Sequence, residues 1–192
     1  MPRPGQEIET YEAKGVRILF RYPKWDDVRG VLACAKAMYE EAESGGELWL
    51  PTPQLDLAGA CDQVARQLKA LELGTGVHIT AERDGRIVGA GSVSAKSGQF
   101  GQGYGTLGLH LLREVRGLGA GRRLMELLEQ EARAHLDLRA IYLTVSAANP
   151  AMHLYAKCGY REIGRKPHFV APSCRDIPFE ERADIVDMAL DL

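Results

Sequence analysis

Three glycines at alternate positions, Gly117, Gly119 and Gly121, lie in the stretch REVRGLGAGRRLMELLEQEA that begins at Arg113. Each costs roughly 1 kcal/mol relative to alanine once it is ordered. So much backbone freedom directly before a helical pattern needs an offsetting interaction. The first N–H groups of a helix have no intrahelical partner, and the helix dipole favours negative charge there. Glycine lets an anion reach those groups where a Cβ would obstruct it. Arg116, Arg122 and Arg123 add charge that suits phosphate geometry. The chemistry this stretch points to is pyrophosphate binding; the plain alternative is a strand-to-helix turn with solvated arginines.

Two better-known phosphate motifs do not fit. No G-x-x-x-x-G-K-[ST] occurs, which argues against a nucleoside-triphosphate hydrolase. GYGTLG, from Gly103 to Gly108, spells G-x-G-x-x-G but opens a strand, whereas a dinucleotide fingerprint follows a strand and opens a helix. The histidines (His78, His110, His135, His153, His168) show no zinc spacing, so no metal is expected. Cys34, Cys61, Cys158 and Cys174 form no C-x-x-C pair and read as free thiols of a reducing, cytoplasmic setting.

Several elements must position the glycine stretch. VRILFRYP alternates apolar and polar residues from Val16, the period of a half-buried strand. Two helical patterns follow, one from Trp25 to a stop at Gly45 and Gly46, the other from Leu55 to Gly74. Asp84-Gly85 between two β-prone runs signals a hairpin. TLGLHLL then reads as a strand, GAGRRLMELLEQEARAHL as a helix and AIYLTV as a strand. PAMHLYAKC is a short helix capped by Gly159, and YREIG, a long loop and IVDMALDL complete the chain. This order describes a mixed α/β domain with one central sheet.

The 192 residues suit a single domain over 16–192. Residues 1–15, MPRPGQEIETYEAKG, have no apolar core and read as a poorly ordered tail. A formal net charge of −2 gives no pull toward nucleic acid. No apolar run approaches the roughly 20 residues of a membrane span. Neither nucleic acid nor membrane is expected as a partner.

LHLLREVRGLGAGRRLMELL resembles the acetyl-CoA motif of the GNAT superfamily of N-acetyltransferases, R/Q-x-x-G-x-G/A, with Arg116, Gly119 and Gly121 in the motif positions. Downstream, NPAMHLYAKCGYREIG resembles the family's second motif, N-x-x-A-x-x-L-Y-x-K-x-G-F, with Tyr160 as its final aromatic. The resemblance implies an α/β fold: a mostly antiparallel sheet of about seven strands flanked by helices at four places, with a V-shaped splay between the fourth and fifth strands. It implies acetyl-CoA as the acetyl donor, with pantetheine along the backbone of Leu109, His110 and Leu111. The pyrophosphate would then rest on the N–H groups of Gly117, Leu118, Gly119, Ala120, Gly121 and Arg122, with Arg116 beside them. Asn149 is implied as a further cofactor contact, although before Pro150 it also suits a helix cap. Homodimers are common among such proteins.

Acetyl transfer to an amine needs a neutral nucleophile, a polarised thioester carbonyl and a proton for the departing sulfur. The resemblance implies Tyr155 as the general acid and a backbone N–H of the splayed strand, Leu111's, as the oxyanion donor. Family glutamates that could act as base are replaced by Thr106 and Thr144. His110 shares a strand face with Thr106 and Gly108 and has a suitable intrinsic pKa, which makes it the candidate base, with a structural histidine as the alternative. Cys158 reads as a small core residue. The acceptor is expected to meet SGGELWLPTPQLD and RKPHFVAPSCRDIPFEERAD, where Phe169, Phe179, Asp176, Glu180 and Glu181 would suit a cationic amine. Replacement of the glutamates leaves a non-catalytic acyl-CoA sensor as the second reading.

Overall fold

Asp84 and Gly85 both adopt positive φ, 50° and 75°, and close the hairpin between β3 (Gly76–Arg83) and β4 (Arg86–Ala95). Lys14 and Gly15 do the same, at 51° and 76°, between β1 (Glu7–Ala13) and β2 (Val16–Arg21). In the computed structural model, which describes residues 2–43, 55–96, 103–170 and 178–192, the expected N-terminal tail is therefore largely an ordered strand. The sequence signal was weak because Lys-Gly is a poorer turn former than Asn-Gly or Asp-Gly. This strand raises the expected seven to an eight-stranded sheet.

The remaining elements are α1 (Val28–Glu43), α2 (Leu57–Leu73), β5 (Tyr104–Leu111), α3 (Ala120–His135), β6 (Ala140–Ser146), α4 (Ala151–Lys157), β7 (Arg161–Val170) and β8 (Ala183–Asp191). Strand order is β1-β2-β3-β4-β5-β6-β8-β7, and every pair is antiparallel except β5 with β6. The strand taken as the fourth in the sequence is thus β5, and the fifth is β6. RKPHFV, expected to begin a loop, continues β7 to Val170.

The sheet carries helices on both faces. Gly91 and Ile79 are cross-strand partners, and a Cβ on Gly91 would meet Leu128 and Leu124 of α3 at 2.5 and 3.3 Å. Gly76 faces the opposite way and touches Ala70 of α2. On α3, Ala120, Leu124, Leu127, Leu128 and Ala132 are buried at helical spacing, so one stripe packs on the sheet while Arg122 and Arg133 stay exposed.

Where β2 turns into α1, Arg21 is only 4% exposed. Its guanidinium donates to both carboxylate oxygens of Asp27 at 2.7 and 2.8 Å and to Glu82 of β3 at 2.7 Å. Asp27 also accepts the Lys24 N–H at 2.9 Å, which fixes the entry of α1. Replacing Arg21 with Met strands two carboxylates and should lower the unfolding free energy by about 3–5 kcal/mol, read by urea denaturation. An unchanged midpoint would mean that water solvates the pair.

Candidate functional site

The register of β5 decides which of its backbone groups are free. Leu112 N–H donates to the Val88 carbonyl and Lys96 N–H to the Tyr104 carbonyl, each at 2.8 Å. Even-numbered residues of β5 therefore bond toward β4, and the N–H and C=O groups of Leu109 and Leu111 point the other way. On that side the pairing with β6 covers only Tyr104↔Ala140, Gly105↔Ile141 and Thr106↔Tyr142. Beyond Thr106 the two strands diverge, which is the expected splay, and Leu109 and Leu111 face the gap.

The Leu111 carbonyl is taken by Arg116 Nε at 2.8 Å. Arg116 also donates to Glu41 of α1 at 2.7 Å, and the other Glu41 oxygen accepts Arg113 N–H at 2.8 Å. The guanidinium expected beside a phosphate thus ties the loop to α1 and the end of β5. Arg123 is likewise committed, to Glu9 of β1 at 2.6 and 2.8 Å and to Glu126 at 2.9 Å. Arg122 stays 62% exposed at the helix mouth, beside Glu126 at 3.0 Å.

Gly117 and Gly119 take φ of 69° and 84°, which a side chain would strain. Gly119 has a second constraint. Tyr11 of β1 donates to the Leu118 carbonyl at 2.8 Å, and a Cβ on Gly119 would lie 2.6 Å from the same hydroxyl. Arg123 N–H makes the first bond of α3, to Gly119 O at 3.1 Å, so the N–H groups of Ala120, Gly121 and Arg122 have no intrahelical partner. Exposed glycines, unpaired N–H groups and the positive end of a helix give this mouth the chemistry to accept an anion. Gly121 serves packing as well: its Cβ position lies 3.4 Å from Leu154 of α4.

The gap opens on a cavity of about 660 Å³ between α1, α2, β4, β5 and β6. Tyr155 of α4 lines it, nearly buried, with its ring edge-on to Tyr160 at 6.2 Å. Burial raises the Tyr155 pKa, so the phenol keeps its proton at neutral pH. Asn149 also lines the cavity, but its Oδ1 accepts Ala151 N–H at 2.9 Å; the side chain caps α4 and leaves only its amide NH2 for a ligand. His110 and His78 line the wall, and burial pushes each imidazole down to about 4, helped at His110 by the Arg116 cation. Both are neutral at pH 7. Cys158 is half-buried, and burial with Glu129 raises its pKa, so it stays a thiol.

Thr144 donates to Asp187 of β8 at 2.7 Å, and Asp187 pairs with Lys166 of β7. Sequence reasoning missed Asp187, Tyr11, Glu9 and Glu41, because each acts through a long-range contact. None of the expected acceptor residues that are described lines this cavity. Residues 44–54, with Trp49, and 171–177, with Cys174 and Asp176, lie outside the described residues, as does the Phe179 side chain. Phe169, Glu180 and Glu181 are exposed away from the cavity lining. Among the described residues no His, Cys, Asp or Glu cluster could hold a metal, and no helix is long and apolar enough to cross a membrane.

The sequence model of the Acetyltransferase (GNAT) family matches residues 36–160. An acetyltransferase of the GNAT family from Streptococcus pneumoniae superposes with a TM-score of 0.76 at 20% identity, covering 91% of this chain and 99% of its own. Ribosomal-protein-S5-alanine acetyltransferase from Vibrio fischeri gives 0.77 at 15%, covering 97% and 96%. The yncA protein of Salmonella typhimurium, solved with its cofactor acetyl-CoA, gives 0.70 at 18%, covering 91% and 94%. No curated protein matches the sequence.

The two neutral histidines set a pH dependence. Unfolded, they titrate near 6.5; folded, near 4. Between those values the unfolded chain binds protons that the folded chain does not, so stability falls as pH drops through the window. Tm should be lower at pH 5 than at pH 7, and the slope should flatten in a His78→Gln, His110→Gln double variant. Equal slopes in wild type and variant would place both imidazoles in water.

Proposed function

Since the chain belongs to the GNAT acetyltransferase family, we propose that it moves the acetyl group of acetyl-CoA to a primary amine by direct attack within a ternary complex. The observation that carries this reading is the continuity of the open edge of β5 with the glycine mouth of α3. A pantetheine arm has amides to pair with that edge, and a pyrophosphate suits the mouth. Leu109 and Leu111 form the pantetheine side; the backbone of His110, expected there as well, is turned toward Ala90 of β4 and leaves that edge to its two neighbours. Gly117, Leu118, Gly119, Ala120, Gly121 and Arg122 form the phosphate side, with Arg116 shaping the loop. The Asn149 amide NH2 is an added contact.

Because the phosphate mouth follows the end of β5, the arm runs back along the strand, and its thioester reaches deeper than Leu111. The oxyanion donor is therefore Leu109 N–H, with Leu111 N–H left for a pantetheine carbonyl. The amine attacks the carbonyl carbon, the tetrahedral oxyanion collapses, and the C–S bond breaks. Tyr155 gives its proton to the leaving sulfur and recovers one from the nitrogen through solvent. An imidazole with a pKa near 4 is a weak final proton acceptor, so His110 accepts a hydrogen bond from the incoming amine and orients it. Thr106 and Thr144, in place of carboxylates, favour the sensor reading; any measurable turnover excludes it.

Calorimetric titration should show micromolar acetyl-CoA binding, abolished by Gly119→Asp, which sets a carboxylate against the phosphate. Unchanged affinity in that variant would remove the mouth from the site. Tyr155→Phe should lower kcat by about 10²-fold with acetyl-CoA affinity preserved. Full turnover in Tyr155→Phe would make the ring a packing element only.

A further inference from the structure

The acceptor side of the cavity has an unexpected charge. Its described lining includes no carboxylate, and Arg66 of α2 is its one formally charged side chain, both histidines being neutral. Arg66 is exposed and makes no hydrogen bond or ion pair among the described residues, although Asp62 stands one helical turn before it. Gln63 and Gln67 share its helix face and also line the cavity. Three donor-bearing side chains therefore face a space in which nothing described accepts from Arg66.

The geometry locates this patch relative to the reacting atoms. Ala70 lies against Gly76, and Gly76, Ser94 and Thr106 share one level of the sheet. A two-residue turn separates α2 from β3, so α2 runs antiparallel to β3. One helical turn, about 5.4 Å, spans nearly two strand residues at about 3.3 Å each. Arg66 and Gln67 thus stand over the level of Gly108, and Gln63 over that of His110. The α3 mouth is on the opposite face of the sheet, so Arg66 is no part of the pyrophosphate site.

Resting on the acetyltransferase reading, we propose that the acceptor is a primary amine that also carries a carboxylate or phosphate, and that Arg66, flanked by Gln63 and Gln67, binds this anionic group while the amine lies at His110. A planar guanidinium pairs with either anion through two parallel bonds, which fixes orientation as well as attraction. About two strand residues, roughly 7 Å, separate the two levels, a span suited to an amine and an anion a few bonds apart. A purely cationic amine finds no described carboxylate in this cavity and meets the Arg66 charge.

The test follows CoA release from acetyl-CoA with matched pairs: the proteinogenic amino acids against their C-terminal amides, and phosphoethanolamine against ethanolamine. At least one acid should exceed its neutral partner about tenfold or more in kcat/KM, the size of a charge-assisted contact. Arg66→Gln should level that pair through KM, and Arg66→Glu should invert it. Which pair responds separates a carboxylate from a phosphate acceptor. Equal use of acids and neutral partners, no turnover of any acid, or an acid preference that survives Arg66→Gln overturns the proposal. Acetyl-CoA titration of the same preparations reports separately on the donor site: binding there leaves the acetyltransferase reading standing, and its loss in wild type removes that reading.

Discussion

A backbone N–H or C=O shut away from water without a partner costs about 1–3 kcal/mol, and the groups that β5 aims away from β4 at Leu109 and Leu111 lose their strand partner where β6 turns away after Thr106. The divergence is stable because each strand is held on its far side. β5 pairs with β4 from Gly105 to Leu111, and β6 pairs with β8 over its whole length. One exposed carbonyl, that of Leu111, is already occupied by Arg116. What remains is a short polar edge that water solvates and a polyamide chain can cover. The cavity opens from this edge, and the direction proposed for the pantetheine arm follows from it.

The glycine mouth of α3 depends on bracing from two distant elements. Tyr11 and Glu9 of β1 hold Leu118 and Arg123, and Glu41 of α1 holds Arg113 and Arg116. With Arg116 and Arg123 committed to carboxylates, the positive potential at the mouth comes mainly from the N–H groups of Ala120, Gly121 and Arg122, the helix dipole and the Arg122 side chain. That division suits a protein of net charge −2, in which a free cluster of arginines would bind polyanions indiscriminately.

Features that rest on local chemistry were legible in the sequence. The glycine–arginine stretch ahead of α3 and the Asp84-Gly85 turn stand where the residues indicated, and the splay stands where the family resemblance implied it. Features that rest on long-range pairing were not. Glu9 and Arg123 are 114 residues apart, and nothing local in either says that they meet. The placement of β8 between β6 and β7 brings Asp187 to Thr144, a contact that alternation within β8 cannot reveal. The acceptor side shows the same limit. An acidic, aromatic surface was expected from the loop before β8, most of which lies outside the described residues; among the described residues the cavity's charged side chain is Arg66, which reads in isolation as one more solvated arginine of an amphipathic helix.

Amide hydrogen exchange with and without CoA tests the open edge most directly. Leu109 and Leu111 N–H should gain protection together with those of Ala120, Gly121 and Arg122. His110 N–H, on the β4 side of the strand and in register with Ala90, should change little. Protection that fails to appear at Leu109 and Leu111, or that rises equally at His110, would contradict pairing of the arm with this edge.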